Sequence, residues 1–242
     1  MKFTTSWDDG YALDTKVSEM LSKHGAKGTF YICPHRQHGK TMLTNKDIKT
    51  LASQHELGAH TINHPKLTLI PEEKAKEEII QSKKWIEDQG GKPCTMFCYP
   101  YGDSSTIIET MVQEAGFKGA RGTTQMHFQS DNIFNQNTSL QITPFPWRKT
   151  RSRLYHYIDP LGPLRVKLRN IHEYQIPLRE CTNWLSFAKA LFDYAHDTNQ
   201  PYFHLWGHSH EIERYNMWED FNAFLKYVKK SDVECVLNSS AL

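Results

Sequence analysis

The sequence predicts an α/β fold that is built around a parallel β-sheet. Short runs of strand character alternate with amphipathic helical segments along most of the chain. Parallel neighbours need crossover connections, and the helical segments are long enough to supply them. About seven strands alternate with helices in this way. A (β/α) barrel and a doubly wound open sheet both fit this pattern.

The first half of the chain alternates most regularly. The run "TTSW" predicts a strand, and the apolar residues behind it recur at helical spacing. Strands at "GTFYIC" and "ELGAH" flank the helical segment "TNKDIKTLASQ", whose Thr44 and Asp47 have capping-box spacing. The clearest helix should begin near Pro71 and end at Gly90 and Gly91, because proline suits a first turn and glycine a C-terminal cap.

The second half predicts five further strands, at "CTMFCYP", "FKGARGT", "SLQITPF", "PYFHLWGH" and "VECVL". The helical segments between them are "SSTIIETMVQEAG", "NWLSFAKALFDYAHD" and "MWEDFNAFLKYVKK". Residues from about 146 to 182 break the alternation. We interpret them as an insertion within a single domain that spans residues 1–242.

Composition excludes several classes of protein. The 242 residues carry a formal net charge of +2, with 23% charged and 38% hydrophobic residues, which predicts neither a nucleic-acid-binding protein nor a disordered one. No apolar run reaches the roughly 18 residues that a membrane-spanning helix needs. Five cysteines and the lack of a leader-like segment after Met1 predict reduced thiols and a cytoplasmic location.

Polar side chains with ligand potential follow the predicted strands, at the point where each strand ends. In α/β barrels and in open α/β sheets, the carboxyl ends of the strands form the functional face. We therefore expect one face to carry six residues: Asp8 and Asp9 after the first strand, His60 and His64 after the third, Tyr101 after the fourth, and His208 after the late strand.

The histidine pair in "HTINH" suggests a metal site. A four-residue offset can bring the imidazoles of His60 and His64 to one side, and with one carboxylate they make a facial set for a divalent ion. An isolated pair of this kind is more often two surface histidines. The acidic pair and the third histidine at other strand ends favour the metal site.

The acidic pair in "WDDG" permits two interpretations. Adjacent side chains on a strand point in opposite directions, so Asp8 and Asp9 should take different roles. One would bind a metal ion and the other would accept a proton. Aspartate followed by glycine is also typical of a turn that has no chemical role.

Four motifs in this order resemble those of the polysaccharide deacetylases, also called the NodB-homology or carbohydrate esterase family four proteins. The motifs are "TSWDDG", "ELGAHTINHPKLT", "FCYPYG" and "HLWGH". The resemblance covers residues 3 to about 123 and resumes near 202 to 210. The first two motifs are specific in combination, whereas the other two are looser.

The resemblance implies a distorted (β/α) barrel, commonly of seven strands, and metal-dependent hydrolysis of an N-acetyl group on a sugar. It implies that Asp9, His60 and His64 hold the ion. Zinc is the usual metal of the family, with cobalt or nickel as alternatives.

The same resemblance assigns roles in hydrolysis. Asp8 would take the proton of the attacking water, and the backbone N–H of Tyr101 would stabilise the oxyanion. His208 would protonate the leaving amine, a step that suits a side chain with an ordinary pKa of about 6.5.

The chain departs from the family's pattern at three points. Cys98 stands where most members carry an arginine that helps to orient the base. Arg121, at the end of the fifth strand, is the candidate to supply a guanidinium to Asp8 instead, and a surface ion pair is the alternative. The aspartate–tryptophan motif of the family has no clear match after Arg121. Trp206 replaces a leucine that shapes the acetate pocket, so acetyl and formyl groups both remain candidates.

The predicted insertion contains a basic stretch in which aromatic residues are interleaved. A solvated surface is one interpretation, and a lid or groove for an anionic glycan, a sugar nucleotide or a lipid-linked phosphate is the other. The basic residues are Arg148, Lys149, Arg151, Arg153, Arg165, Lys167 and Arg169, and the aromatic ones are Trp147, Tyr155 and Tyr157.

The sequence thus predicts a metal-dependent carbohydrate N-deacetylase whose substrate is a polysaccharide or a sugar precursor. One alternative is a hydrolase of the same fold that cleaves a formamide, an O-acetyl ester or a cyclic amide. The other is a relative that binds carbohydrate without turning it over, which Cys98 at the arginine position favours. The presence of all the acidic and histidine residues named above favours an enzyme.

Overall fold

The computed structural model describes residues 1–35, 39–149 and 157–241. Within them, eight strands form one sheet: Lys2–Asp9 (β1), Thr29–Ile32 (β2), Glu56–Ala59 (β3), Met96–Cys98 (β4), Gly119–Arg121 (β5), Leu140–Gln141 (β6), Tyr202–Gly207 (β7) and Glu234–Val236 (β8).

Helices connect the strands. They are Asp14–His24 (α1), Asn45–Gln54 (α2), Glu72–Gly90 (α3), Thr106–Glu114 (α4), Gly162–Arg165 (α5), Leu168–Glu173 (α6), Trp184–Asp197 (α7), Ser209–Arg214 (α8), Trp218–Val228 (α9) and Asn238–Ala241 (α10). Short 3-10 helices span Leu67–Leu69, Pro100–Gly102 and Leu178–Thr182.

All the strands named above pair in parallel, and the continuous path of the sheet runs β5-β4-β3-β2-β1-β7-β6. β1 lies at the centre because it is long enough to pair with β7 along one side and with both β8 and β2 along the other. The seven strands of this path curl into a half-barrel. This confirms the predicted distorted (β/α) barrel.

A short stretch of chain links the edge strand β5 to β7, the strand next to the other edge of the curled sheet. The backbone N–H of Gly122, just after β5, donates to the carbonyl of Gln136 at 3.0 Å. Three residues later, the N–H of Ser139 donates to the carbonyl of His204 in β7 at 3.0 Å. Because one segment bonds to both strands, it draws the ends of β5 and β7 toward a common cavity.

The core beneath the site is rich in aromatic rings. Phe3 of β1 lies 6.2 Å from Phe203 of β7, centroid to centroid, and 6.3 Å from both Phe192 of α7 and Phe224 of α9. All four are buried. These contacts fix α7 and α9 against the two central strands whose ends carry predicted site residues.

The helix ends follow the local sequence signals. Thr44 caps α2 in a capping box with Asp47, as predicted. α3 ends at Gly91, which has a left-handed φ of 65°. Two short helices, α5 and α6, lie within the predicted insertion, whereas Arg151, Arg153 and Tyr155 are outside the described residues. None of the helices in the described ranges has the length and apolar character needed to cross a bilayer.

Candidate metal-dependent active site

The end of β1 places two carboxylates side by side in the interior. Asp8 and Asp9 are both buried, and Asp9 has no exposed surface. The chain turns sharply there, because Asp9 and Gly10 both have a left-handed φ, of 82° and 81°. The turn interpretation of the acidic pair is therefore correct for the backbone, while the two carboxylates make different contacts.

The imidazoles of His60 and His64 face Asp9. Both histidines follow β3, and the N–H of His64 donates to the hydroxyl of Thr61 at 3.0 Å, which closes a tight turn between them. Their Nε2 atoms lie 3.1 Å apart. From Oδ1 of Asp9, Nε2 of His60 is at 3.6 Å and Nε2 of His64 at 3.2 Å. Both imidazoles are buried, so the surface interpretation of this pair is wrong.

The backbone fixes the tautomer of His60. Its Nδ1 lies 2.7 Å from the carbonyl oxygen of Cys98, and a carbonyl can only accept, so Nδ1 carries the hydrogen. Burial lowers the pKa of His60 to about 4, which keeps the ring neutral. Nε2 therefore presents a lone pair toward Asp9 and His64. A histidine held in this way by a backbone carbonyl is typical of a metal ligand.

The donor set fits a divalent cation. One carboxylate oxygen of Asp9 and one nitrogen each of His60 and His64 lie within 4.8 Å of one another. Two imidazoles and a carboxylate are ligands that zinc and related ions accept while positions stay open for water and substrate. Asp8, His60 and Cys98 also lie this close together, but burial raises the pKa of the Cys98 thiol well above its ordinary value, so that set lacks a thiolate.

Asp8 pairs with Arg121 rather than with the histidine pair. Nη2 of Arg121 donates to both carboxylate oxygens, and Nη1 donates to the carbonyl of Gly122 at 3.0 Å. Burial alone would raise the pKa of Asp8, but the Arg121 guanidinium, with smaller contributions from His60 and His208, holds it below its ordinary value. Arg121 itself has no exposed surface, so the alternative of a surface ion pair is wrong.

His208 approaches the same centre from the end of β7. Its Nε2 lies 3.9 Å from Oδ2 of Asp9, and its Nδ1 lies 3.0 Å from a carboxylate oxygen of Glu211. Burial would lower the pKa of His208, but the hydrogen bond and charge of Glu211 raise it to about 9. His208 is therefore an imidazolium at neutral pH. The ring of the nearby His210 packs 4.4 Å from that of Tyr11.

Six of the seven predicted site residues line one cavity of about 470 Å³. They are Asp8, Asp9, His60, His64, Tyr101 and His208. Tyr101 lies at the rim, where its backbone has a left-handed φ of 61° and its ring is 4.6 Å from that of His64. Arg121, the seventh, lies behind Asp8 and is not among the lining residues.

Several other cavity residues were not predicted. The hydroxyl of Tyr11 donates to Oδ2 of Asp9 at 2.9 Å, and its place two residues after the acidic pair was the available signal. Five more come from loops or, in the case of Gln141, from the end of β6. Their approach depends on the folded sheet, and no local pattern marks them. They are Lys40, Tyr99, Thr123, Gln125 and Gln141.

Comparison with known proteins points to one family. Residues 2–120 match the family model described as polysaccharide deacetylase. The peptidoglycan-N-acetylglucosamine deacetylase PgdA of Listeria monocytogenes is 27% identical over 119 residues, which are 48% of this chain and 24% of the relative. The chain thus spans about a quarter of the length of that relative. The matched region contains Asp8, Asp9, His60, His64 and Tyr101, whereas Arg121 and His208 lie beyond it.

Solved structures extend the likeness over the whole fold. The Bc1960 peptidoglycan N-acetylglucosamine deacetylase superposes with a TM-score of 0.58 at 14% identity, covering 100% of this chain and 87% of that one. BA3943 of Bacillus anthracis, a pseudoenzyme of carbohydrate esterase family four, gives a TM-score of 0.56 at 12% identity, covering 96% and 62%. At this level of identity the likeness establishes the fold alone.

Proposed function

The chain belongs to the polysaccharide deacetylase family, and from that premise we propose that it is a metal-dependent hydrolase that removes the N-acetyl group from a carbohydrate. One observation carries the proposal: the ends of three strands bring the carboxylate of Asp9 and three imidazoles, those of His60, His64 and His208, to one cavity. A second carboxylate, held by a buried arginine, lies beside them.

Asp9, His60 and His64 would hold the ion, with zinc expected first and cobalt or nickel as alternatives. A divalent ion bound there would polarise the acyl carbonyl and lower the pKa of a water molecule. Tyr11 would keep the carboxylate of Asp9 in its orientation, because its hydroxyl donates to the oxygen that does not face the histidine pair.

Asp8 would act as the general base. Its ion pair with Arg121 keeps it ionised at neutral pH, so it is ready to accept the proton of the attacking water. Arg121 is a positioning residue in this scheme, since it fixes the carboxylate and does not reach the cavity surface. Asp8 and Asp9 would thus divide the two roles expected of the acidic pair.

Charge develops on the acyl oxygen when water adds to the carbonyl. The backbone N–H of Tyr101, at the rim of the cavity, would donate to this oxyanion. One well-placed donor of this kind contributes about 3–4 kcal/mol to transition-state stabilisation. The left-handed conformation of Tyr101 sets the direction of its peptide N–H, and tertiary structure must hold that conformation because a tyrosine rarely adopts it.

His208 would act as the general acid. An amine leaves poorly unless it is protonated, and His208 holds a proton at neutral pH because Glu211 raises its pKa to about 9. Glu211 also accepts from Nδ1, which leaves the N–H at Nε2 directed toward the cavity. The pair thus supplies both the proton and its orientation.

The acyl group is a separate question. Trp206 lines the cavity and its ring lies 4.8 Å from the guanidinium carbon of Arg121. An indole at this position leaves less room than a smaller side chain would, which favours a compact acyl group such as formyl beside acetyl. The substrate assay therefore includes N-formyl, N-acetyl and O-acetyl sugars and a cyclic amide.

The test combines elemental analysis with acyl release. Wild-type protein is expected to retain about one zinc, cobalt or nickel ion per chain. It should also release acetate or formate from one class of acylated sugar. His64→Ala should lose both the ion and the activity. His196→Ala is the matched control, because it removes a partly exposed imidazole on α7, outside the cavity, and both properties should persist.

Two results would contradict the proposal in different ways. Wild-type protein that takes up no ion on titration would remove the metal site and the mechanism together. Wild-type protein that binds the ion and a glycan yet releases no acyl group would identify a non-catalytic carbohydrate-binding relative. An anionic substrate and a cytoplasmic location remain predictions from the sequence alone.

A further inference from the structure

The segment 147–169 has a charge opposite to that of the rest of the molecule. It contains seven lysine and arginine residues and one acidic residue, Asp159, for a formal charge of +6. The rest of the chain contains 22 basic and 26 acidic residues, for a formal charge of −4. The basic character of the protein is therefore concentrated in one segment.

The same segment exposes large apolar side chains. Twelve large hydrophobic residues are exposed among those described, and six of them lie in this segment. Ile158 is 85% exposed and Val166 is 64% exposed. Scattered exposed apolar residues need no explanation, but a cluster of them marks an interaction surface. The six residues are Trp147, Tyr157, Ile158, Leu161, Val166 and Leu168.

Hydrogen bonds hold the described parts of the segment close together. The N–H of Arg148 donates to the carbonyl of Pro160 at 2.8 Å, which sets Trp147 beside residues 157–161. Arg165, at the end of α5, donates to the carboxylate of Asp159 at 2.8 Å. The one acidic side chain of the segment is thus neutralised within it.

The segment is anchored to the wall of the cavity. Nζ of Lys167 donates to the side-chain carbonyl of Gln125 at 2.8 Å, and Gln125 in turn contacts Gln141 through an amide hydrogen bond of 3.3 Å. Both glutamines line the cavity. The segment follows β6, whose carboxyl end lies on the functional face of the sheet. A partner bound to the segment would therefore lie close to the mouth of the cavity.

We propose that the described parts of this segment, residues 147–149 and 157–169, dock the protein on the surface of a lipid bilayer that contains anionic lipids. Lysine and arginine side chains would approach the headgroup phosphates, and the tryptophan and tyrosine rings would lie at the interface. The aliphatic side chains decide the choice of partner, because Ile158 and Val166 would lose contact with water in a bilayer but not on a soluble polyanion. Docking does not depend on the proposed hydrolysis.

Flotation with lipid vesicles tests this directly. The full chain is mixed with vesicles of phosphatidylcholine alone, or of phosphatidylcholine with about 30% phosphatidylglycerol. Wild-type protein should float with the anionic vesicles and stay behind with the neutral ones. Its binding should fall as salt rises from about 50 to 500 mM.

Matched variants distinguish binding through this segment from binding that depends only on the net charge of the protein. Ile158→Ser with Val166→Ser keeps every charge and should weaken binding by roughly tenfold or more. Lys149→Gln with Arg165→Gln and Arg169→Gln should have a similar effect. The matched control is Lys226→Gln with Lys229→Gln and Lys230→Gln, which removes the same charge from the cluster at the end of α9 and should bind as wild type.

Three results would overturn the proposal. Wild-type protein that fails to float with anionic vesicles excludes membrane docking. Equal loss of binding in the α9 control shows that net charge alone is responsible. A dimer in solution that Ile158→Ser with Val166→Ser dissociates, without vesicle binding by the wild type, assigns the surface to a second copy of the chain. Acyl release from a soluble substrate by the segment variants reports separately on the proposed function.

Discussion

At the scale of single residues, Arg121 allows Asp8 to remain charged in the interior. Two of its guanidinium nitrogens are engaged, one with the Asp8 carboxylate and one with the Gly122 carbonyl. Its carbon lies 5.3 Å from the ring of Tyr31 and 4.8 Å from that of Trp206. An arginine from β5 therefore supplies the positive charge beside Asp8, the proposed base, that the neutral thiol of Cys98 cannot supply.

Removal of this arginine should destabilise the fold and stop the proposed hydrolysis. Arg121→Met leaves the Asp8 carboxylate buried without its counter-ion, which costs about 3–5 kcal/mol of the free energy of unfolding. Asp8→Asn combined with Arg121→Met removes both charges, so its loss should be much smaller than the sum of the two single losses. Urea unfolding of the four proteins measures this coupling. Simple additivity would show that the two groups do not depend on each other.

Asp14 is a buried acid of a different kind. It has no exposed surface and accepts a hydrogen bond of 2.5 Å from the hydroxyl of Ser209, the first residue of α8. Burial raises the pKa of Asp14 well above its ordinary value, and the hydrogen bond from Ser209 opposes this only in part. Asp14 is therefore a positioning group for the helix that follows His208.

Stability should depend on pH through Asp14. In the native state Asp14 keeps its proton, whereas in the unfolded chain it releases the proton above its ordinary pKa of about 3.9. The contribution of Asp14 to the free energy of unfolding therefore falls as pH rises from this ordinary pKa to the raised pKa of the native state. Asp14→Asn removes the dependence. The variant should gain free energy of unfolding relative to wild type, and the gain should be larger at pH 7 than at pH 5. Urea unfolding at both values measures it, and an equal change at both would contradict the raised pKa.

At the scale of secondary structure elements, the backbone of β3 packs tightly against a side chain of β2 at Gly58. Gly58 pairs in register with Tyr31 of β2, and a Cβ atom at Gly58 would lie 2.3 Å from Cδ1 of that ring. The ring cannot move freely, because it is fully buried and its hydroxyl accepts from Nδ2 of Asn238 at 2.9 Å. Tyr31 also borders Arg121, so this strand contact supports the site.

Gly58→Ala should therefore disturb both the sheet and the site. Overpacking of this kind costs about 1–3 kcal/mol of the free energy of unfolding. Gly90→Ala is the matched control, because the nearest side-chain atom, Cδ1 of Leu57, is 3.0 Å from the added carbon and belongs to a flexible side chain. Denaturant midpoints of the two variants give the comparison. Equal midpoints would mean that β3 can shift to make room.

Elements with strong local signals were predictable, and contacts between distant elements were not. The capping box at Thr44 and the glycine end of α3 follow from local chemistry, and both predictions are confirmed. The likeness of "WDDG" and "HTINH" to family motifs led to the residues around Asp9. The left-handed turn at Tyr101 and the pairing of β8 with β1 depend on packing that no local pattern encodes.

At the scale of the whole molecule, the site exists only in the folded sheet. Asp9 belongs to β1, the histidine pair follows β3, and His208 follows β7. The Asp8–Arg121 pair alone spans 113 residues of sequence. An unfolded chain cannot hold these groups together, so an ion that binds the assembled site binds the native state almost exclusively.

Metal binding should therefore raise the thermal stability of the whole chain. At a free zinc concentration about 100 times the Kd, the native state gains about 2.7 kcal/mol. For a domain of this size that gain raises the Tm by roughly 5–10 °C, and a chelator should reverse it. His64→Ala should abolish the shift, whereas His196→Ala should retain it, and scanning calorimetry measures both. If Asp9→Asn kept the full shift, the ion would be bound elsewhere, because the carboxylate of Asp9 is the one anionic ligand of the proposed set.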